Sequence, residues 1–238
     1  MKNSKSLFSA YLELTKPRIL SLVLVTTALG FFLGGKGVFS WGTLIYLLIG
    51  ASGVCAGSGV LNQYLERDVD CLMLRTQKRP LPTGIISPSE ALSFGIILIL
   101  AGLIVLCLKV NLLTAFLGIL TAFLYVLVYT PLKKISWLNT TIGSIPGAIP
   151  PMGGWAAATN NLDLGAWVLF FILFLWQHPH FYAIAWMCKE DYKRAGFKML
   201  PVVDPDGIST FRQIIIYSLI LIPVSLVPSF IGISGKIY

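Results

Sequence analysis

Charge is what this chain has least of. Asp, Glu, Lys and Arg make up only 12% of its 238 residues, against 56% hydrophobic. A water-facing domain carries about 25% charged residues. The deficit excludes a soluble globular enzyme, and the apolar excess excludes a disordered chain. Cysteine is scarce too. Cys55, Cys71, Cys107 and Cys188 have no metal-ligand spacing and two sit in apolar runs, which excludes a disulfide scaffold and predicts four unpaired thiols. Histidine occurs only twice, at His178 and His180.

Long apolar runs are what the sequence has in place of charge. Seven come close to or reach the roughly 20 residues of a membrane-spanning helix: 19–35, 41–61, 91–108, 112–130, 138–158, 165–187 and 213–233. The expected fold class is therefore all-α, a polytopic transmembrane helix bundle, with 1–238 as a single domain. Lys109-Val110-Asn111 reads as a tight hairpin between the third and fourth runs. The run 138–158 is the weakest, because Pro146, Pro150 and Pro151 interrupt it. A helix broken in this way is tolerated only where protein or a cavity satisfies the freed backbone groups. The first run follows Pro17 without a cleavage site, so it reads as a retained helix. Gly30-xxx-Gly34 and Gly53-xxx-Gly57 read as close helix packing.

The basic residues decide the orientation. Lys2, Lys5, Lys16 and Arg18 precede the first run; Arg67, Arg75, Lys78 and Arg79 follow the second. Lys133 and Lys134 follow the fourth, and Lys189, Lys193, Arg194, Lys198 and Arg212 the sixth. Only Lys36, Lys109 and Lys236 fall on the other side. The positive-inside rule places the N-terminus and the loops after even-numbered spans in the cytoplasm, and Tyr238 outside. The net charge of +8 is then topological, and no nucleic-acid partner is expected. Every acid except Asp163 lies on the cationic side, which suggests either a polar site there or simply longer loops.

Two polar segments carry the chemistry. If the second helix runs on past the membrane, Asn62, Glu66 and Asp70 recur every four residues and share one stripe, drifting only ~40° per step, with Asp68 on another face. An amide and two carboxylates are hard oxygen ligands suited to Mg²⁺. Arg67, Arg75, Lys78 and Arg79 follow directly and could bind diphosphate oxygens. A juxtamembrane loop with ordinary ion pairs fits the same residues. The second segment holds Trp176, Gln177, His178, Pro179 and His180 at mid-span, then Lys189, Glu190, Asp191, Lys193 and Arg194. Ionisable groups at that depth face a bundle interior. Either they serve a site or the imidazoles merely bond across helices. On an unbroken helix His180 and Asp191 lie three turns and ~16 Å apart on nearly one face. Pro179 could spoil that phase.

These segments resemble the UbiA-type intramembrane prenyltransferases, and within them the branch that farnesylates heme. The resemblance is carried by Leu14-Thr15-Lys16-Pro17-Arg18, Asn62 to Pro82 with Glu66-Arg67-Asp68-Val69-Asp70, and Tyr129-Thr130-Pro131-Leu132-Lys133. Trp176-Gln177-His178-Pro179-His180-Phe181, Glu190-Asp191-Tyr192 and Met199-Leu200-Pro201 complete it. It departs from the wider superfamily in having Glu66 for Asp and a second motif reduced to Glu190 and Asp191. The family fold has nine helices and about seven are read here, so the resemblance implies a chain truncated or divergent at the C-terminus. The resemblance implies Mg²⁺-dependent transfer of a farnesyl group from farnesyl diphosphate to a vinyl group of heme B, with water addition, giving heme O for terminal oxidases. It implies a first metal at Asn62, Glu66 and Asp70, and a second at Asp191 with Glu190. Diphosphate would fall to some of Arg67, Arg75, Lys78, Arg79, Lys189, Lys193 and Arg194, and heme to His178 and His180. It further implies the bacterial inner membrane, lipid contact, and heme A synthase or oxidase assembly factors as partners. The rivals are a prenyltransferase acting on an aromatic or quinone precursor and a membrane transporter; internal repeats, which would favour the transporter, are not evident.

Overall fold

A computed structural model describes residues 6–36 and 40–233, so Lys2, Lys5, Lys236 and Tyr238 lie outside the described residues. A short helix α1 (Leu7–Leu14), capped by the Ser6 hydroxyl, leads through Thr15 and Lys16 into α2 (Pro17–Gly34). Then come α3 (Trp41–Asp70) and α4 (Pro88–Lys109), the latter opened by a capping box between Ser87 and Glu90. Val110 and Asn111 make the expected hairpin, with the Asn111 side chain accepting from the Thr114 backbone N–H to start α5 (Leu112–Phe123). A widened π turn over Leu124–Tyr129 joins α5 to α6 (Thr130–Leu132). The remaining elements are α7 (Asn139–Thr159), α8 (Leu164–Met187), α9 (Lys189–Arg194), α10 (Leu200–Val203) and α11 (Ile208–Phe230).

Among the described residues, six stretches are long and apolar enough to cross a membrane: α2, α3, α4, the α5–α6 run Leu112–Leu132, α8 and α11. Their outer faces display Leu22, Ile97, Leu100, Phe116 and Leu219, a lipid-facing surface that water would not tolerate. The expected seventh span, α7, is continuous despite its three prolines. It packs against α2, α5 and α8, and buries Pro146, Ile149, Pro151, Met152 and Trp155. Protein, and not lipid, surrounds the backbone groups that the prolines leave unpaired.

Glycine sets the helix spacing. A Cβ on Gly30 would sit 2.0 Å from the Pro151 carbonyl oxygen, and one on Gly57 2.5 Å from that of Gly95. Both Gly-xxx-Gly patterns are therefore seams, of α2 on α7 and of α3 on α4. The four cysteines are unpaired.

Candidate active site

The end of the bundle that collects α1, the 71–87 loop, α6, α9 and α10 is also where the charges are. A cavity of about 1030 Å³ opens there and runs down between α2, α3, α5, α7, α8 and α11 past apolar side chains such as Val23, Leu47, Val54, Leu117 and Ile149. Its polar wall comes from α3, which does run on past the apolar span to Asp70. Asn62, Glu66 and Asp70 are buried and line the cavity, as their four-residue spacing predicts. Asp68 points away, its side chain 81% exposed.

Each member of the stripe meets a basic group. Asn62 Oδ1 accepts from Lys16 Nζ at 2.6 Å, and Asn62 Nδ2 donates to Thr130 Oγ1 at 3.0 Å. Glu66 Oε1 pairs with Lys133 Nζ at 2.7 Å, and Asp70 Oδ2 with Arg79 Nη1 at 2.7 Å. Asp70 Oδ1 is buried with no hydrogen-bond partner among the described residues. Such a group is costly unless something else satisfies it.

Lys16 and Lys133 enter the site from elsewhere in the chain. Lys16 takes a left-handed backbone conformation (φ 53°, ψ 61°) immediately before Pro17. For a non-glycine residue this is strained, and tertiary contacts must hold it. One such contact is Gln63 Nε2 donating to the Leu14 carbonyl at 3.0 Å, which ties the elbow to α3. Burial, with Arg79 adding to it, pushes the Lys16 amine down to about 7, although Glu66 works the other way. Burial alone would lower Lys133 too, but Tyr129 and Glu66 beside it hold it protonated, above the ordinary lysine value. The π turn sets Tyr125 and Tyr129 against the same cavity. By charge alone both lysines read as topological. The signal for them was that they stand inside the Leu14–Arg18 and Tyr129–Lys133 motifs.

Of the other expected residues, Arg75, Arg79 and His180 line the cavity. Arg67 turns back over the Tyr64 ring and donates to the Tyr64 carbonyl. Lys189 donates to the Pro205 carbonyl, and Lys78 and Lys193 lie on the exposed surface. None of these four lines the cavity.

Glu190 and Asp191 also stay outside it. The reason is that α8 ends at Met187, so the expected three-turn register from His180 is lost. Asp191 Oδ1 instead accepts from the Leu74 backbone N–H at 3.1 Å and pairs with Arg194. Burial would raise its carboxyl, but these bonds outweigh that and hold it below the usual aspartate value. The two polar segments do meet, through this bond and through Arg75, whose guanidinium lies 4.7 Å from the Tyr192 ring centre. Among the described residues no three His, Cys, Asp or Glu side chains converge into a metal site of their own. His178 is fully buried, its Nδ1 against the Phe174 carbonyl at 2.8 Å and its Nε2 3.3 Å from Thr141 Oγ1, outside the cavity lining.

Facing acids and bases thus stand above an apolar shaft inside a helix bundle whose outer faces suit a membrane. The chain belongs to the UbiA prenyltransferase family, whose model matches residues 23–238. It is 52% identical over 237 residues to a protoheme IX farnesyltransferase of Solibacter usitatus, covering 96% of this chain and 81% of that one. A solved UbiA homolog from Archaeoglobus fulgidus, bound to GPP and Mg²⁺, shares the fold with a TM-score of 0.74 at 23% identity, over 90% of this chain and 76% of that one. A digeranylgeranylglyceryl phosphate synthase structure does so with a TM-score of 0.80 at 20% identity, over 97% and 80%.

Proposed function

We propose that this protein transfers the farnesyl group of farnesyl diphosphate to a vinyl group of heme B, giving heme O, at the cytoplasmic face of a bacterial inner membrane. The observation that carries this is the Asn62–Glu66–Asp70 stripe facing Lys16, Arg79 and Lys133 at the mouth of an apolar cavity. Relatives at 40–52% identity are protoheme IX farnesyltransferases. The positive-inside rule puts the charged pole in the cytoplasm.

The donor set fits Mg²⁺: hard oxygens only, with the Asp70 Oδ1 lone pairs unused among the described residues. Asn62, Glu66 and Asp70 would hold it, and it would supply neutralisation of the diphosphate charge. Glu190 and Asp191 fall outside this set. Lys16, Arg75, Arg79 and Lys133 bind the diphosphate oxygens and stabilise the negative charge that grows as the C–O bond breaks. Glu66 and Asp70 already pair with Lys133 and Arg79, so the cations are held in place before substrate arrives. The apolar shaft takes the isoprenoid chain and keeps water from the allylic cation. The vinyl carbon then bonds to the farnesyl carbon, and water adds to the new cation with loss of a proton. A volume of about 1030 Å³ lies at the upper end for a single ligand and suits two.

The test is the full chain reconstituted in lipid with farnesyl diphosphate, Mg²⁺ and heme B. Farnesylated heme is expected, and none after chelation of the metal. Product from 4-hydroxybenzoate with none from heme would defeat the heme assignment.

A further inference from the structure

One polar side chain in the cavity wall lies below the charged pole and takes no part in it. Gln177 is buried in the membrane-spanning helix α8 and lines the cavity beside apolar neighbours such as Leu173 and Phe181. Its Nε2 donates to the Ser144 carbonyl of α7 at 3.1 Å and to the Leu173 carbonyl of its own helix at 3.0 Å. Both amide hydrogens are thus spent, which fixes the way the carboxamide faces. Its Oε1 has no hydrogen bond among the described residues, yet it is not sealed in protein.

Gly147 makes room for that oxygen, since a Cβ there would stand 1.9 Å from it. The backbone at this point of α7 is short of donors too. Pro150 and Pro151 have no N–H, so the carbonyls of Pro146 and Gly147 lose their i+4 partners. Pro146, Gly147 and Pro150 all line the cavity. Acceptors in an apolar setting are costly unless something donates to them. Water can, and it is held in such a place only by two or more polar groups. A water that gives both hydrogens to carbonyl oxygens keeps its own lone pairs free to attack.

The level is also the one the reaction needs. α7 begins at the charged end, where Asn139 Nδ2 donates to the Lys198 carbonyl. One turn in, Gly143 abuts the Tyr129 ring, and Lys133 Nζ lies 4.6 Å from the centre of that ring. Gly147 is a further turn, about 6 Å, deeper. The reacting carbon of a prenyl diphosphate held at the pole comes to lie near this depth.

We infer that Gln177 Oε1, with the α7 carbonyls freed by Pro150 and Pro151, holds the water that quenches the cation formed on the acceptor. This rests on the heme-acceptor reading above. The water oxygen bonds to the cationic carbon, and the oxonium so formed gives its proton to the released diphosphate. With no water in place, the cation loses a proton from the adjacent CH₂ instead, and the product is an alkene lighter by one water.

The full chain in lipid would be given farnesyl diphosphate, Mg²⁺ and heme B, and the products extracted without acid and weighed by mass spectrometry. The wild-type protein should give the hydroxylated product. In Gln177→Leu the ratio of alkene to hydroxylated product should rise at least ~10-fold. Gly147→Ala keeps the carboxamide but displaces Oε1, and should move the ratio the same way; it decides the matter if Gln177→Leu does not fold. Less product at the wild-type ratio in these variants would make Gln177 a packing residue and overturn the assignment. If the wild-type protein farnesylated no heme, the acceptor reading itself would fall and take this assignment with it. A changed ratio with farnesyl transfer intact supports both.

Discussion

Asp70 is wholly enclosed, with one carboxylate oxygen on Arg79 and the other without a hydrogen-bond partner among the described residues. Replacing it by Asn keeps the shape and removes the charge, so Asp70→Asn should lower turnover by ~10²-fold or more while membrane insertion and yield hold. Near-normal heme O formation would remove Asp70 from the proposed metal set. Glu66→Asp shortens the reach to Lys133 by one methylene and keeps the charge, so partial activity is expected in the same assay. Lys16 carries a pH signature. The unfolded lysine titrates near 10.5 and the folded one near 7. Between those values the unfolded chain binds a proton that the folded one does not, so stability rises with pH across the window; below about 7 the penalty is complete and constant. The apparent Tm in detergent should climb from pH 7 to pH 10, and Lys16→Met should flatten that climb. The same variant should weaken farnesyl diphosphate binding roughly 10–100-fold, the range for a lost hydrogen bond to a charged group.

The α2–α7 seam controls one wall of the cavity. Gly30→Val would drive a side chain into the Pro151 carbonyl and should cost about 1–3 kcal/mol, seen as a lower apparent Tm and reduced yield. Gly153→Ala, on the same helix pair but facing open space, should leave both unchanged. A comparable tie acts between α9 and the 71–87 loop, where Asp191 accepts from the Leu74 N–H. Asp191→Ala should raise the rate of proteolytic cleavage in that loop, whereas Asp191→Asn, which can still accept the bond, should resemble wild type. Equal cleavage in all three proteins would mean the tie does not order the loop.

For the molecule as a whole, sidedness is the property most directly open to measurement. Cys71 is exposed at the charged end and Cys107 is exposed near the opposite end of α4, whereas Cys55 and Cys188 are half-buried. In a Cys107→Ser variant, a membrane-impermeant maleimide should leave intact cells unlabelled and should modify Cys71 once the membrane is opened. Labelling of intact cells would invert the orientation. Much of this architecture was readable without coordinates. The membrane spans, the Asn111 hairpin, the glycine seams and the Asn62–Glu66–Asp70 stripe all depend on hydropathy or on helical period, which act over one or two turns. α7 was harder to read, because its three prolines are tolerable only through the neighbours that enclose it.

By itself, then, the sequence determined a helical membrane protein, the gathering of its charges at one end, and the acidic stripe on one continuous helix, since each follows from residues close together along the chain. Only the tertiary structure decided which basic groups complete the site. Lys16 reaches Asn62 across 46 residues and Lys133 reaches Glu66 across 67, by an elbow and a π turn that no local pattern reports. It also separated His180 from His178 and took Asp191 out of the cavity. Those outcomes depend on where α8 stops and on which neighbour each face meets, and helix packing, not spacing, sets both.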